Sequence, residues 1–437
     1  MRLTIILLFF AQAAVTGALG QVSALPPSPV PSASTAAPSS DPQGRPTATS
    51  VLTISQALDL AEQNSPLLQE AAASVRRAQA GMQSARAYTN PVFEFLSGNQ
   101  SARPIATPGV PGTLMHYSAS QLFEIPRERH TRIRASELDL VSNKYRSAGI
   151  RLSLHAYVKR AFYDVIRRKE QLANAESNLT LVEDLRRRVR LEVQVGEKGK
   201  LEITRAEAET ARALAAVRSA DIQVANARAL LKAAIGSPSE ELFDAEGNLG
   251  DSVRIDTLNN LRQQVLANHP AISEINAVTL RSRVNVEHER ARRIPEPLFY
   301  GEYEHQPDLS FYRFGVSIPV PLWDRRKGPI AEAKAEVSRS EALARQRRLE
   351  ITAALERAYD QYQISNEQVE GLQAGSLREA QAAVDAAQSA YKFGERGIVE
   401  VFDAQRVLQG VRSDLLDALY ARQSALIDLE ELGVTHQ

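Results

Sequence analysis

Histidine, cysteine and methionine are the side chains best suited to metal binding or covalent catalysis, and their pattern here predicts neither. The sequence contains no cysteine, which excludes thiolate ligands and disulfides within it. Three methionines form no soft-metal cluster, and no glycine-rich phosphate loop is present. No two histidines have the i,i+4 spacing of a helical zinc site; they are His116, His130, His155, His269, His288, His305 and His436. We therefore predict no enzyme active site, no metal site and no cofactor.

Charged residues surround two glycine pairs of identical spacing, at 196–199 and 394–397. Glycine readily adopts the left-handed backbone that ends a helix, so we interpret both pairs as turns between long helices, with Gly394 and Gly397 in left-handed geometry. The similarity continues past the glycines, where Glu202 corresponds to Glu400. These turns therefore belong to a longer internal duplication.

Two further segments recur in the same order. Asn64-Ser65-Pro66 returns as residues 268–270, and Asn90-Pro91-Val92-Phe93 returns as residues 296–299. Three anchors in one order at similar offsets predict a repeat. We predict a first repeat at 51–240, a linker at 241–256, a second repeat at 257–432 and a tail at 433–437.

The N-terminal residues predict export. One positive charge and a short apolar run end in small residues, which is typical of a signal peptide at 1–20. Residues 21–50 are rich in Pro, Ser, Ala and Thr and are predicted to form a disordered leader, with order beginning near Leu52 and Thr53 capping the first helix. No later apolar run reaches the roughly 20 residues of a spanning helix, so membrane crossing would require β-strands. The net charge of +0 predicts no nucleic-acid partner.

Each repeat contains two candidate strands. Alternating apolar and polar residues predict strands near 297–305 and 311–320 in the second repeat, and near 91–98 and 114–125 in the first. Their length and their aromatic residues suit tilted transmembrane strands, although soluble hairpins that cap a helical body would show the same local pattern.

The remaining sequence predicts long coiled-coil helices. From Arg132 to about Val195 no proline or glycine occurs except Gly149, and apolar residues from Leu154 to Val193 recur at alternating spacings of four and three. The counterpart from about Pro329 to Phe393 shows the same rhythm between Leu377 and Tyr391. Sixty residues of helix would make a rod of about 90 Å. Four strands cannot close a barrel, and an open sheet edge in lipid is forbidden, so a membrane-spanning chain must form oligomers.

With these features the sequence resembles the TolC-like outer-membrane efflux protein family over 52–432. The resemblance rests on the duplicated order, on the Asn90-Pro91 strand start and above all on the string from Tyr391 to Ala404. The string from Gln121 to Arg129 is similar to the heavy-metal (CzcC/CusC-like) branch. The implied fold is mostly α with a small β part: long coiled-coil hairpins and four transmembrane strands per chain, which close a 12-stranded barrel and an α-helical tunnel in a homotrimer.

The resemblance also implies which residues act. The family closes its periplasmic end by a network in which Tyr391 and Arg396 match one side and Glu202 the carboxylate partner. Glu400 and Asp403 match acidic positions in the narrowed bore, where three-fold symmetry would make rings that favour cations. Most charged residues on a long helix are simply solvated, and that alternative stays open for the four charged residues among these five.

We therefore expect a passive outer-membrane duct with its helices in the periplasm. A periplasmic adaptor and an inner-membrane pump would be its partners, and the choice of metal ions or drugs as cargo would lie with the pump. The competing hypothesis is a periplasmic coiled-coil adaptor or structural protein. An adaptor carries one helical hairpin rather than two repeats, so the duplication favours the duct.

Overall fold

Short strands and very long helices alternate along the chain, and the second half repeats the order of the first. The computed structural model describes residues 49–100, 111–237, 242–250 and 253–434. The elements are β1 (Thr49–Leu52), α1 (Ile54–Asn64), α2 (Pro66–Arg86), β2 (Val92–Gln100), β3 (Gly112–Leu122), α3 (Pro126–Gln194), α4 (Lys200–Ile235), β4 (Leu242–Ala245), α5 (Leu258–Asn268), α6 (Pro270–Ala291), β5 (Leu298–His305), β6 (Ser310–Ser317), α7 (Lys327–Gly371), a π-helical turn (Leu372–Ser376), α8 (Leu377–Lys392) and α9 (Ile398–Glu431). The predicted signal peptide and almost all of the predicted leader lie outside the described residues.

A pair of short strands lies at the predicted boundaries, one at the end of the leader and one within the linker 241–256. β1 begins at Thr49 and pairs in parallel with β4, which lies inside the predicted linker. Phe243 and Ala245 of β4 are buried in the core against the helices, which stabilises a strand too short to show alternation. The prediction for Thr53 is confirmed: its side chain accepts a hydrogen bond from the backbone of Gln56, whose side chain accepts one in return.

The four longer strands form one antiparallel sheet in the order β2-β3-β5-β6, so the central pair β3–β5 joins the two repeats. All four predicted strands are confirmed, with shifted ends. β6 ends at Ser317 rather than 320 because Pro319 has no N–H to donate to a ladder. Within the described residues the outer edges of β2 and β6 have no strand partner.

The two faces of this sheet differ in chemistry. On one face, four aromatic side chains form a row across all strands, with ring centroids 4.8 Å apart for Phe95 and Tyr117, 6.1 Å for Tyr117 and Tyr303, and 4.8 Å for Tyr303 and Tyr312. Such cross-strand pairs stabilise an antiparallel sheet. The same face continues with exposed Phe93 and Phe314, at 77% and 86% exposure. No other described residue of the chain covers this apolar face.

The helical rods have the predicted length. α3 spans 69 residues without a break, so at 1.5 Å per residue it is about 100 Å long. The predicted seam is buried along it at Leu154, Val158, Val165, Val182 and Val189. Gly149 lies inside the helix and does not interrupt it.

The second rod is not uniform, which the sequence pattern did not predict. α7 and α8 are separated by the π-helical turn, which contains Gly375 and directly follows Gly371. Glycine lowers the free-energy cost of a local departure from α-helical geometry, and a single π turn inside a long helix is one such departure. The mostly helical fold with four longer strands is thereby confirmed. None of the helices in the described ranges is long and apolar enough to span a membrane.

Candidate functional site

Both helical hairpins end side by side at one place, which we call the hairpin tip (residues 181–206 and 387–403). α3 turns into α4 in the first hairpin, and α8 turns into α9 in the second. The hairpins share an apolar core made of Val182, Leu185, Val189, Ala206, Tyr391, Ile398, Val401 and Phe402. The charged residues predicted to act are therefore held on one packed unit that contains both repeats.

The two turns are built alike. Gly196 and Gly394 adopt left-handed backbone with φ of 85° and 76°, and the amide after each donates back to a carbonyl five residues earlier in the chain. The prediction for Gly394 is confirmed. The same prediction is wrong for Gly397, whose φ of −81° and ψ of 168° are the extended geometry of a helix N-cap.

Glu202 and Glu400 occupy the same position in the two returning helices, in the first turn of α4 and of α9. A carboxylate there is stabilised by the positive end of the helix dipole. One carboxylate oxygen of Glu400 lies only 3.2 Å from the place that a Cβ on Gly397 would occupy, so the side chain folds back over the N-cap. Glu202 is part-buried and lies 3.5 Å from Arg205. Both glutamates thus contribute to the local structure of the turn as well as to its charge.

A hydrogen bond between side chains joins the two hairpins at the tip. The buried Tyr391 hydroxyl donates to Oε2 of Glu192 at 2.5 Å, across 199 positions of sequence. Burial raises the pKa of Tyr391 well above its usual value, and both the bond to Glu192 and the nearby charge of Glu202 add to the rise. The resemblance predicted Glu202 as the carboxylate partner; within one chain the partner is Glu192. Glu192 adjoins Val193, the residue of the first repeat that corresponds to Tyr391.

The two other predicted residues lie on the surface of the tip. Asp403 is exposed and pairs with Arg406 at 2.9 Å, one turn along α9. Arg406 also approaches Glu209 of the first hairpin at 3.9 Å. Arg396 is exposed, and within the described part of the chain its side chain has no ion-pair partner. The structure therefore brings Tyr391 near Glu202 but joins Arg396 to neither.

The polar face of the sheet carries a second charged cluster. Glu94 of β2, Glu302 and Glu304 of β5 and Arg313 of β6 lie on this face in two neighbouring rows, and His116 lies opposite Glu304. Arg313 bridges both glutamates of β5, at 2.8 Å and 3.1 Å. Three carboxylates against one guanidinium leave the face acidic. The alternation of glutamates with aromatic residues along the strands was visible in the sequence. The register between the strands, which brings the glutamates together on one face, was not.

These clusters do not make a metal centre. Across the described ranges no group of three or more histidine, cysteine, aspartate or glutamate side chains is arranged to hold a metal ion. The arrangement supplies charge along a surface and a hydrogen bond between the hairpins.

Comparison with known proteins agrees with this geometry. The family model described as outer membrane efflux protein matches residues 57–237 and 261–433, one match for each repeat. The cobalt-zinc-cadmium resistance protein CzcC of Cupriavidus metallidurans is 26% identical over 87% of this chain and 90% of its own length. The nickel-cobalt-cadmium resistance protein NccC of Alcaligenes xylosoxydans is 28% identical over 68% of this chain and 67% of its own.

Solved structures show the same fold. A crystal structure of CusC, from a study of folding and transmembrane channel formation, matches with a TM-score of 0.77 at 19% identity, covering 87% of this chain and 92% of that one. The Campylobacter jejuni outer membrane channel CmeC matches with a TM-score of 0.74 at 15% identity over 87% and 85%. The predicted resemblance and its heavy-metal branch are thereby confirmed. Since the family model covers both repeats, the chain belongs to the outer membrane efflux protein family.

Proposed function

We propose that this protein is the outer-membrane duct of an efflux system, a trimer that exports cargo supplied by an inner-membrane pump through a periplasmic adaptor. The observation that carries the proposal is the four-stranded sheet, which has one apolar face and, among the described residues, no strand partner at either edge. In lipid every backbone N–H and C=O must be paired, so both edges require neighbours. Three copies placed edge to edge would give twelve strands and leave no free edge.

The same arrangement assigns the two faces of the sheet. The aromatic face would contact lipid, and the face with Glu94, Glu302 and Glu304 would line the lumen. An acidic lumen lowers the free energy of cations and raises that of anions along the path. Divalent metal cations are the cargo class that this charge and the names of CzcC and NccC support.

The hairpin tip would form the periplasmic entrance. Glu400 and Asp403 would place rings of carboxylates there, and the Tyr391–Glu192 bond would hold the second hairpin against the first in the closed state. The adaptor and the pump would supply the free energy that separates the hairpins. Cargo choice would then lie mainly in the pump.

Planar-bilayer recording tests the proposal directly. The purified full-length protein should insert as discrete channels whose reversal potential in a salt gradient shows preference for cations. Failure to conduct after verified membrane insertion would contradict the duct. Extraction gives an independent check, because a barrel protein leaves membranes only with detergent, whereas release by salt alone would favour the soluble adaptor or structural protein.

A further inference from the structure

The most exposed large apolar side chain in the described residues is also the only tryptophan of the sequence. Trp323 is 92% exposed and lies in the connection between β6 and α7. Fully exposing an indole to water forgoes a large amount of favourable burial. A contact outside the chain is the simplest physical reason for it to stand there.

The residues before Trp323 continue the apolar face of the sheet. Tyr312, Phe314 and Val316 point to that face of β6, and the same alternation runs on past the strand end through the exposed side chains of Ile318, Val320 and Leu322. Pro319 and Pro321 prevent the ladder from continuing, so this stretch extends the apolar surface without extending the sheet. Trp323 therefore lies at the helix-side end of the surface proposed to contact lipid.

The connection is held firmly behind the tryptophan. The backbone amide of Arg326 donates to Oδ1 of Asp324 at 2.7 Å, and the guanidinium of Arg326 donates to Glu289 of α6 at 2.5 Å. Arg326 itself adopts left-handed backbone with φ of 54°. Trp323 is thus presented outward by a loop that is fixed at its base.

Positive charge follows the indole immediately. Arg325 and Lys327 are exposed on either side of Arg326. A tryptophan beside positive charges is typical of the membrane–water interface. There the indole lies at the level of the lipid headgroups, and Arg or Lys contacts their phosphates. Tyr88, before β2, and Phe123, after β3, are exposed at the same end of the sheet, at 70% and 55%.

We infer that the 318–327 segment is a membrane-interface anchor, with Trp323 seated among the phospholipid headgroups of the periplasmic leaflet. The inference rests on the proposed function, since it takes the aromatic sheet face to be in lipid. The anchor would fix the height of the sheet in the bilayer at the point where the strands give way to the helices.

Because the chain has one tryptophan, its own fluorescence is the probe. The full-length protein is reconstituted in phosphatidylcholine vesicles that contain lipids brominated either near the headgroup or near the end of the acyl chain. We expect Trp323 emission to be quenched more by the shallow bromines than by the deep ones. Acrylamide in the buffer should quench it less than it quenches a tryptophan in water.

Two matched variants keep the result interpretable, each in the Trp323→Phe background. Phe393→Trp places the probe at the hairpin tip, where bromolipids should have no effect. Phe314→Trp places it in the middle of the aromatic face, where deep bromines should quench most. If bromolipids do not quench the fluorescence of Phe314→Trp, both the proposed barrel and the proposed anchor are wrong.

If Phe314→Trp is quenched, the outcome concerns the anchor alone. Trp323 that responds to acrylamide and not to bromolipids would overturn the inference, since the side chain would then stand in water. Shielding from both quenchers would place Trp323 against a neighbouring chain, and stronger quenching by deep bromines would place it in the hydrocarbon core. Each of these outcomes also contradicts the inference.

Discussion

The Tyr391–Glu192 hydrogen bond gives the sharpest prediction about gating, because it joins the two hairpins within one chain. Tyr391→Phe removes the hydroxyl and leaves the ring in the apolar core of the tip. A hydrogen bond to an ionised group contributes about 1.5–3 kcal/mol, and the partial exposure of Glu192 favours the lower end. About 1.5 kcal/mol corresponds to roughly a tenfold change in an equilibrium constant.

We therefore expect Tyr391→Phe to raise the open-to-closed ratio of a single channel in planar bilayers by about tenfold for each chain whose bond must break on opening. Glu192→Gln should act in the same direction and less strongly, because a neutral amide still accepts a hydrogen bond. The exposed Tyr157 of α3 offers a control, since Tyr157→Phe should leave gating unchanged. The open fraction of the double variant should be close to that of the stronger single variant, because both substitutions remove the same hydrogen bond. Wild-type gating in both tip variants, with melting temperatures intact, would refute this role of the hydrogen bond.

Three further predictions concern charge, pH and the turn. Glu400→Ala combined with Asp403→Ala should shift the reversal potential toward zero in a salt gradient; an unshifted potential would remove both residues from the bore. His269 accepts a hydrogen bond at the start of α6, and burial lowers its pKa below the usual value of about 6.5, so its contribution to stability is present above that pH and lost as pH falls. His269→Asn keeps an N-cap acceptor that does not titrate, so the melting temperature of the variant should fall less than that of the wild type on acidification. An equal fall in melting temperature for both proteins would contradict this. Gly394→Ala forces a Cβ into left-handed backbone and should destabilise by about 1 kcal/mol, whereas Gly410→Ala inside α9 should stabilise slightly in chemical denaturation; equal effects would contradict the turn assignment.

Features with a long period were readable from the sequence. The seam of α3 runs from Leu154 to Val189, so its heptad spacing could be recognised without any knowledge of partners. The strands of the sheet were recognised for a similar reason, since alternation over eight or more residues leaves a clear pattern. Their existence was therefore predicted well and their ends less well.

Features that depend on tertiary contact were not readable. β1 and β4 have four residues each and exist because they pair with one another across the whole first repeat. The partner of Tyr391 within the chain depends on how the two hairpins align in the fold. The acidic rows of the sheet depend on the register between strands of different repeats.

The central claim is that strands from three copies close one barrel, and disulfide trapping between the free sheet edges tests it most directly. The sequence contains no cysteine, so disulfides can form only between the introduced cysteines. Phe95→Cys on β2 is combined in turn with Tyr312→Cys, Phe314→Cys or Val316→Cys on β6, all on one face of the sheet. Oxidation of intact membranes should give a ladder that ends at the covalent trimer for the pair in register. Only monomers with every pair, or a ladder that continues beyond three chains, would contradict the account.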